Sequence, residues 1–328
     1  MLGSVTPPPG PGMIGRPRLH ATHRPTMTAE TLPLAPAPIP AAVRMEAAWQ
    51  QARSMRRRAT LFYGVIFLAC LLAAGWVSEV NPRTLAEGVP RVGEYFAKIT
   101  PDLRWATLFA GPKTEGSLAF WMYRLDAWAW LLFETSQMAA LATLFGAVGG
   151  LLLCFPASRN LMARHPVLYW CTRRFLELFR TVPDIVYALI LVWAFGVGPL
   201  AGILAIAMHT VGALGKLFAE VVENADMKPW DGVMASGGTW LAGVRFAILP
   251  QVMPNFLSYV LLRFEINVRG ATVIGFVGAG GIGQELYTVI AFNYYEEISA
   301  IIVLVILCVV AIDLLSERLR HRVIGVAQ

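Results

Sequence analysis

Few residues of this chain are of types that do covalent chemistry, and their spacing limits what they can be. Gly278, Gly280 and Gly283 make a GxGxxG run, the pattern in which a tight turn offers backbone N–H groups to a pyrophosphate. Here the run follows a long apolar segment instead of a buried strand, so the expectation is a flexible outer loop that lets helices approach closely. No GxxxxGK[ST] phosphate loop occurs. The only Gly-Lys pair, Gly215-Lys216, has Thr210 where the first glycine should stand, so any ATP must be handled by a separate chain. Five histidines are scattered, and Cys70, Cys154, Cys171 and Cys308 include no CxxC pair; neither a catalytic cluster, a zinc site nor a disulfide framework is indicated. What remains is charge within apolar surroundings. Glu265 and Arg269 are four apart and share a helix face, where a mutual ion pair is expected. The second reading is that Arg263 or Arg269, with His209 and Lys216, makes a pathway electropositive for an anionic solute.

The elements that would position these residues are membrane spans. The chain has 328 residues, is 56% hydrophobic and 15% charged, and its mean hydropathy is +0.57, outside the range of an ordinary soluble domain. The net charge of +6 is dispersed among apolar runs, which argues against nucleic acid. A helix needs about 20 apolar residues to cross the hydrocarbon core. Residues 59–78, 135–158, 174–195, 199–222, 254–277 and 298–315 meet that need, the third and fourth divided by the helix-breaking GVGPL at 196–200. The fold class expected is all-α integral membrane with six spans. A proline-rich segment, residues 1–45, reads as a disordered tail; residues 46–127 hold the first span and a polar loop, and 128–328 the core.

Lys and Arg favour cytoplasmic loops. Arg53, Arg56, Arg57 and Arg58 precede the first span, Arg159, Arg164, Arg173 and Arg174 follow the second, and Arg318, Arg320 and Arg322 follow the sixth. All fall on one side. The loop 79–126 balances six basic against six acidic residues, which suits the outside. Both termini and the loop between spans four and five are thus expected in the cytoplasm.

That loop, ENADMKPWDGVMASGGTWLAGVRFAILPQVMP at 223–254, reads as a short helix, a turn at Gly237-Gly238, and a second helix ended near Leu249-Pro250. Val233, Met234, Trp240, Leu241, Val244 and Phe246 could share one apolar face. Such a face needs cover, either lipid or a partner. Its pattern resembles the cytoplasmic coupling loop of permeases of ATP-binding-cassette importers, Glu-Ala-Ala, three residues, Gly, nine residues, Ile-x-Leu-Pro. Asp231, Gly232 and Val233 stand at the first three positions, Gly237 at the glycine, and Ala247, Leu249 and Pro250 at the close; Asp replaces Glu, Gly and Val replace the two Ala, and Ala replaces Ile.

RRFLELFRTVPDIVYALI at 173–190 and EINVRGATVIGFVGAGGIGQE at 265–285 resemble the corresponding stretches of phosphonate permeases, and the likeness spans roughly residues 130–325. It implies the type I importer fold, two permease copies with the pathway between them, and two ATPase subunits docked on residues 223–250. It also implies a periplasmic binding protein that delivers phosphonate or a related phosphorus oxyanion, with ATP and Mg held by the partner. A methionine or other small-solute importer is the nearest alternative. An ion-driven carrier would show internal repeats, and a membrane enzyme a polar cluster on one face; neither is seen.

Overall fold

In the computed structural model the described residues, 41–325, are helical, with no strand among them. The tail expected at 1–45 lies almost wholly outside them. Helix α1 (Ala41–Val77) belongs to a first unit that ends at Asn81; its segment Ala48–Val77 is long and apolar enough to cross a membrane.

The second unit begins at Pro82 with α2 (Pro82–Ile99) and the single turn α3 (Leu118–Trp121), and continues through α4 (Leu125–Cys154). Next come α5 (Pro166–Thr181), α6 (Asp184–Phe195) and α7 (Pro199–Glu223). The elbow is α8 (Lys228–Ala235), α9 (Trp240–Gly243) and a π turn over Val244–Ile248 that runs directly into α10 (Leu249–Ile274). A 3-10 turn at Gly275–Val277, α11 (Gly281–Ala291) and α12 (Tyr295–Gly325) complete it. Helices α1, α4, α7 and α12 are each long and apolar enough to cross a membrane, and two bent pairs, α5 with α6 and the Trp240–Val277 run with α11, bring the candidates to six when each pair is taken as one span.

Helix α4 packs on α7 because both present small residues at the crossing. A Cβ on Gly150 would lie 2.9 Å from the Gly215 nitrogen, and one on Gly146 would strike Thr210, so the pair spaced GxxxG in α4 lets backbones touch where hydrocarbon gives no hydrophobic drive. The middle of the bundle is correspondingly fine-grained, with Ala139, Ala142, Ala205 and Ala271 buried together. One polar node crosses it: Asn267 Nδ2 donates to Thr143 Oγ1 at 2.8 Å and to Thr210 Oγ1 at 3.0 Å, joining α4, α7 and α10. Larger apolar clusters close each end, one around Leu214, Phe218 and Ile248 beside the elbow, the other around Trp128, Ile282 and Ile301.

Two elements differ from the sequence expectation. The third span is not one helix over 174–195; it bends by 85° between α5 and α6. Pro183 has no N–H to give and holds Val182 in extended backbone at φ −76°, ψ 123°, as a residue before proline is held. Nor is the glycine run a flexible loop. Gly278, Gly280 and Gly281 take positive φ, after which α11 packs back into the bundle with Gly281, Ile282 and Gly283 buried. Gly198 N–H donates to the Gly278 carbonyl at 2.9 Å, pinning this corner to the GVGPL turn.

Candidate functional site

The elbow is built by local rules. Helix α8 starts on Lys228-Pro229, where proline's missing N–H costs nothing. It stops at a glycine pair: Gly238 N–H reaches back to the Val233 carbonyl at 2.9 Å and Gly237 N–H to Met234 at 3.0 Å, a Schellman closure that needs a left-handed residue. Gly237 supplies it at φ 83°. Thr239 then caps α9, its hydroxyl accepting from Ala242 N–H at 3.3 Å.

The second elbow helix does not end at Leu249-Pro250, and the fifth span does not wait for Pro254. The π turn widens the coil so that Leu249 N–H donates to Val244, five residues back. Pro250 falls in the first turn of α10, directly after this wider turn. Elbow and span are therefore one continuous rod.

The apolar face expected on the elbow is divided. Its inner part is welded to the bundle: Gly243 packs against Trp230 and Met234, Val244 and Ile248 enter the core, and Trp240 Nε1 donates to the Leu161 carbonyl at 3.4 Å. Gln251 closes the joint by donating to the Asp226 carbonyl at 3.2 Å and accepting from its N–H at 3.2 Å. Beneath, Glu223 accepts from Arg159 N–H and pairs with Arg173 at 2.8 Å, while Asn160 Nδ2 donates to the Val222 carbonyl at 2.8 Å. Trp230, Gln251 and Glu223 were not singled out in the sequence, and Arg173 counted there only as a cytoplasmic-side charge; a Trp one residue before the coupling pattern and an acid at the end of α7 are the signals that pointed to the joint. The outer part is exposed. Asp231, Gly232 and Gly237 lie there, with Leu241 at 68% and Phe246 at 67% exposure. Leu249 is half-buried and Pro250 exposed behind them.

The charged residues do not form one group. Glu265 and Arg269 make no ion pair with each other. Glu265, only 8% exposed, pairs with Arg320, and Arg269 Nη2 lies 2.6 Å from Asp313 Oδ2, so both clamp α10 to α12. A partner 44 or more residues away wins because two carboxylate–guanidinium pairs between helices neutralise four charges where a mutual pair would neutralise two. His209 and Arg263 instead go to the bend between α5 and α6: His209 Nδ1 lies 3.1 Å from the Val182 carbonyl oxygen, and Asp184 acts on Arg263 electrostatically. The Arg263 Nε is buried with no hydrogen-bond partner among the described residues. Lys216, half-buried, lies two turns beyond His209 along α7 and makes no ion pair among the described residues.

Comparison with known proteins decides what this frame is. Residues 146–325 match the family described as binding-protein-dependent transport system inner membrane component. The chain belongs to that family. It is a transport permease subunit, not an enzyme, and works with a solute-binding protein and an ATPase. Among its relatives, the phosphite transport system permease protein PtxC of Stutzerimonas stutzeri is 34% identical over 260 residues, 79% of this chain and 86% of that one. The phosphate-import permease protein PhnE of Mycolicibacterium smegmatis is 36% identical over 262 residues, 80% of this chain and 46% of that one. Among solved structures, the inward-facing MetNI methionine ABC transporter superposes with a TM-score of 0.55 at 21% identity, covering 61% of this chain and 97% of that one. The permease has the type I importer fold.

Proposed function

We propose that this permease carries a phosphorus oxyanion, phosphonate or its relatives phosphite and phosphate, and that its elbow transmits ATP-driven motion to the spans. The observation that carries the coupling half is the division of the elbow: one side is fastened to α10 and the α4–α5 loop, the other holds Asp231, Leu241 and Phe246 out to solvent. A rigid lever with an apolar contact face suits helix-in-groove docking on a motor subunit. Because the π turn joins elbow to α10 without a break, displacement of the elbow moves a membrane span directly.

The substrate half rests on the relatives named for phosphite and phosphate and on Arg263, whose Nε, beside the α5–α6 bend and without a hydrogen-bond partner among the described residues, can meet an oxyanion. Within this reading Glu265 and Arg269 are structural, and His209, Arg263 and Lys216 face the solute. Two permease copies form the pathway, two ATPase subunits bind ATP and Mg, the binding protein delivers solute from outside, and both termini face the cytoplasm.

The test is reconstitution of permease with its ATPase in nanodiscs, with ATP hydrolysis measured as binding protein is added empty or loaded in turn with methylphosphonate, phosphite, phosphate or methionine. Stimulation by the phosphorus compounds and not by methionine is expected. Stimulation by methionine alone would assign the permease to amino-acid import and remove the role given to Arg263.

A further inference from the structure

Helix α2 takes no part in the elbow or the charged groups, and its sequence is unusually segregated. At 100° per residue, Leu85, Val89, Val92, Phe96 and Ile99 fall within an arc of about 80°, and Arg83, Glu87, Arg91, Glu94 and Lys98 fall in an arc of similar width centred opposite. Only Ile99 is buried; Leu85 is 68% and Val89 65% exposed. An apolar stripe this clean, left open along four turns, requires an occupant.

We propose that α2 lies flat in the headgroup region of the bilayer, at the end of the bundle away from the elbow, with its stripe sunk among the lipid chains. Three observations set the depth. Tyr95 meets the Tyr295 ring edge-on at 6.1 Å and Lys98 Nζ sits 5.7 Å from that ring's centre. Tyr295 is the first residue of α12, a membrane span, so the C-terminal half of α2 sits level with the point where a span leaves water. Around it Phe120, Trp121, Tyr123 and Tyr294 line one cavity with Tyr295, and an aromatic girdle of this kind belongs at the membrane–water interface. Ile99 ties the helix end to Trp128, Ile298 and Ile301 at the same level.

Lipid fits better than protein as the cover. Five side chains on one 18-residue helix offer well under the about 800 Å² per partner of a standard interface. Gly88, Pro90 and Gly93 along the same helix leave gaps in any ridge that would key into a second helix, gaps that fluid chains fill. The polar face carries both signs of charge, with Arg83 and Glu87 paired at 2.9 Å, as suits a face turned to water. This is the geometry of an interfacial helix.

Two measurements test it. In a full-length chain with Cys70, Cys154, Cys171 and Cys308 replaced by serine or alanine, an environment-sensitive fluorophore is placed at Val89→Cys or at Glu94→Cys, on opposite faces. The protein is held in phosphatidylcholine–phosphatidylglycerol nanodiscs containing lipid doxyl-labelled near the headgroup. The label at position 89 should be blue-shifted and quenched severalfold more than that at 94. Equal quenching at both positions, or a blue-shifted but unquenched label at 89, which would mean protein cover, overturns the proposal. The unaltered chain serves as a second measurement: diazirine lipid with the reactive group high on the acyl chain should leave adducts within residues 85–96. Their absence, with adducts present on the spans, overturns it as well.

Discussion

Gly237 at the elbow and the pair Gly275 and Gly283 past the far end of α10 are the same residue type for opposite physical reasons. At the elbow, a Cβ on Gly237 would meet nothing within 4 Å; glycine is needed there only because φ is 83°. At the far end, Gly275 has ordinary φ, yet a Cβ on it would lie 2.7 Å from the Gln284 nitrogen, and one on Gly283 would fall on the Thr272 carbonyl. Gly237 is conformational and exposed, so it shapes a surface without spending it on internal packing. Gly275 and Gly283 are steric and buried, and they fix how α11 folds back on α10, with Gly278, Gly280 and Gly281 supplying the positive φ of the turn between them. A glycine with open space around it leaves room for a partner; one without space has already found its neighbour.

Substitutions can break this comparison. Gly283→Ala should be the most damaging, since the backbone of α10 cannot give way as a flexible side chain would; destabilisation of about 3 kcal/mol is expected, seen as a lower Tm or loss of monodisperse protein in detergent. Next is Glu265→Gln, which strands Arg320 beside α10. With Glu265 nearly buried but Arg320 partly open, about 2 kcal/mol is expected, less than for a fully buried pair, read from the same melting curves; Glu317→Gln, on an exposed pair, serves as the control with almost no change. Gly237→Ala should cost about 1 kcal/mol, the strain of a left-handed alanine. Were Gly283→Ala no worse than Gly237→Ala, the steric reading of the buried corner would fail.

Much of this frame was legible in the sequence, for reasons that also explain what was not. Spans in α1, α4, α7 and α12 follow from apolar length with few charges, which depends on composition alone. The elbow was legible because the Gly237 turn and the spacing to Leu249-Pro250 are local. The α5–α6 bend was signalled by Pro183 but hidden by the apolar run that follows it at 185–195, since hydropathy does not register direction. Helix α11 was hidden because its glycines, a loop signal by propensity, are there for close approach to Thr272 and Thr135. The ion pairs were misread for the plainest reason: Glu265 and Arg269 are neighbours in sequence, whereas Arg320 and Asp313 become neighbours only after α10 and α12 pack.

The same contrast leads to the central claim, that the open side of the elbow is a contact surface for the motor subunit. Leu241→Asp with Phe246→Asp changes two exposed side chains and should alter the permease's own stability by no more than about 1 kcal/mol. The decisive measurement is the ratio of ATP hydrolysis with loaded binding protein to that without it, in nanodiscs containing permease and ATPase. The account predicts a ratio near one for the double variant at unchanged Tm. A ratio equal to that of the unaltered permease would contradict it.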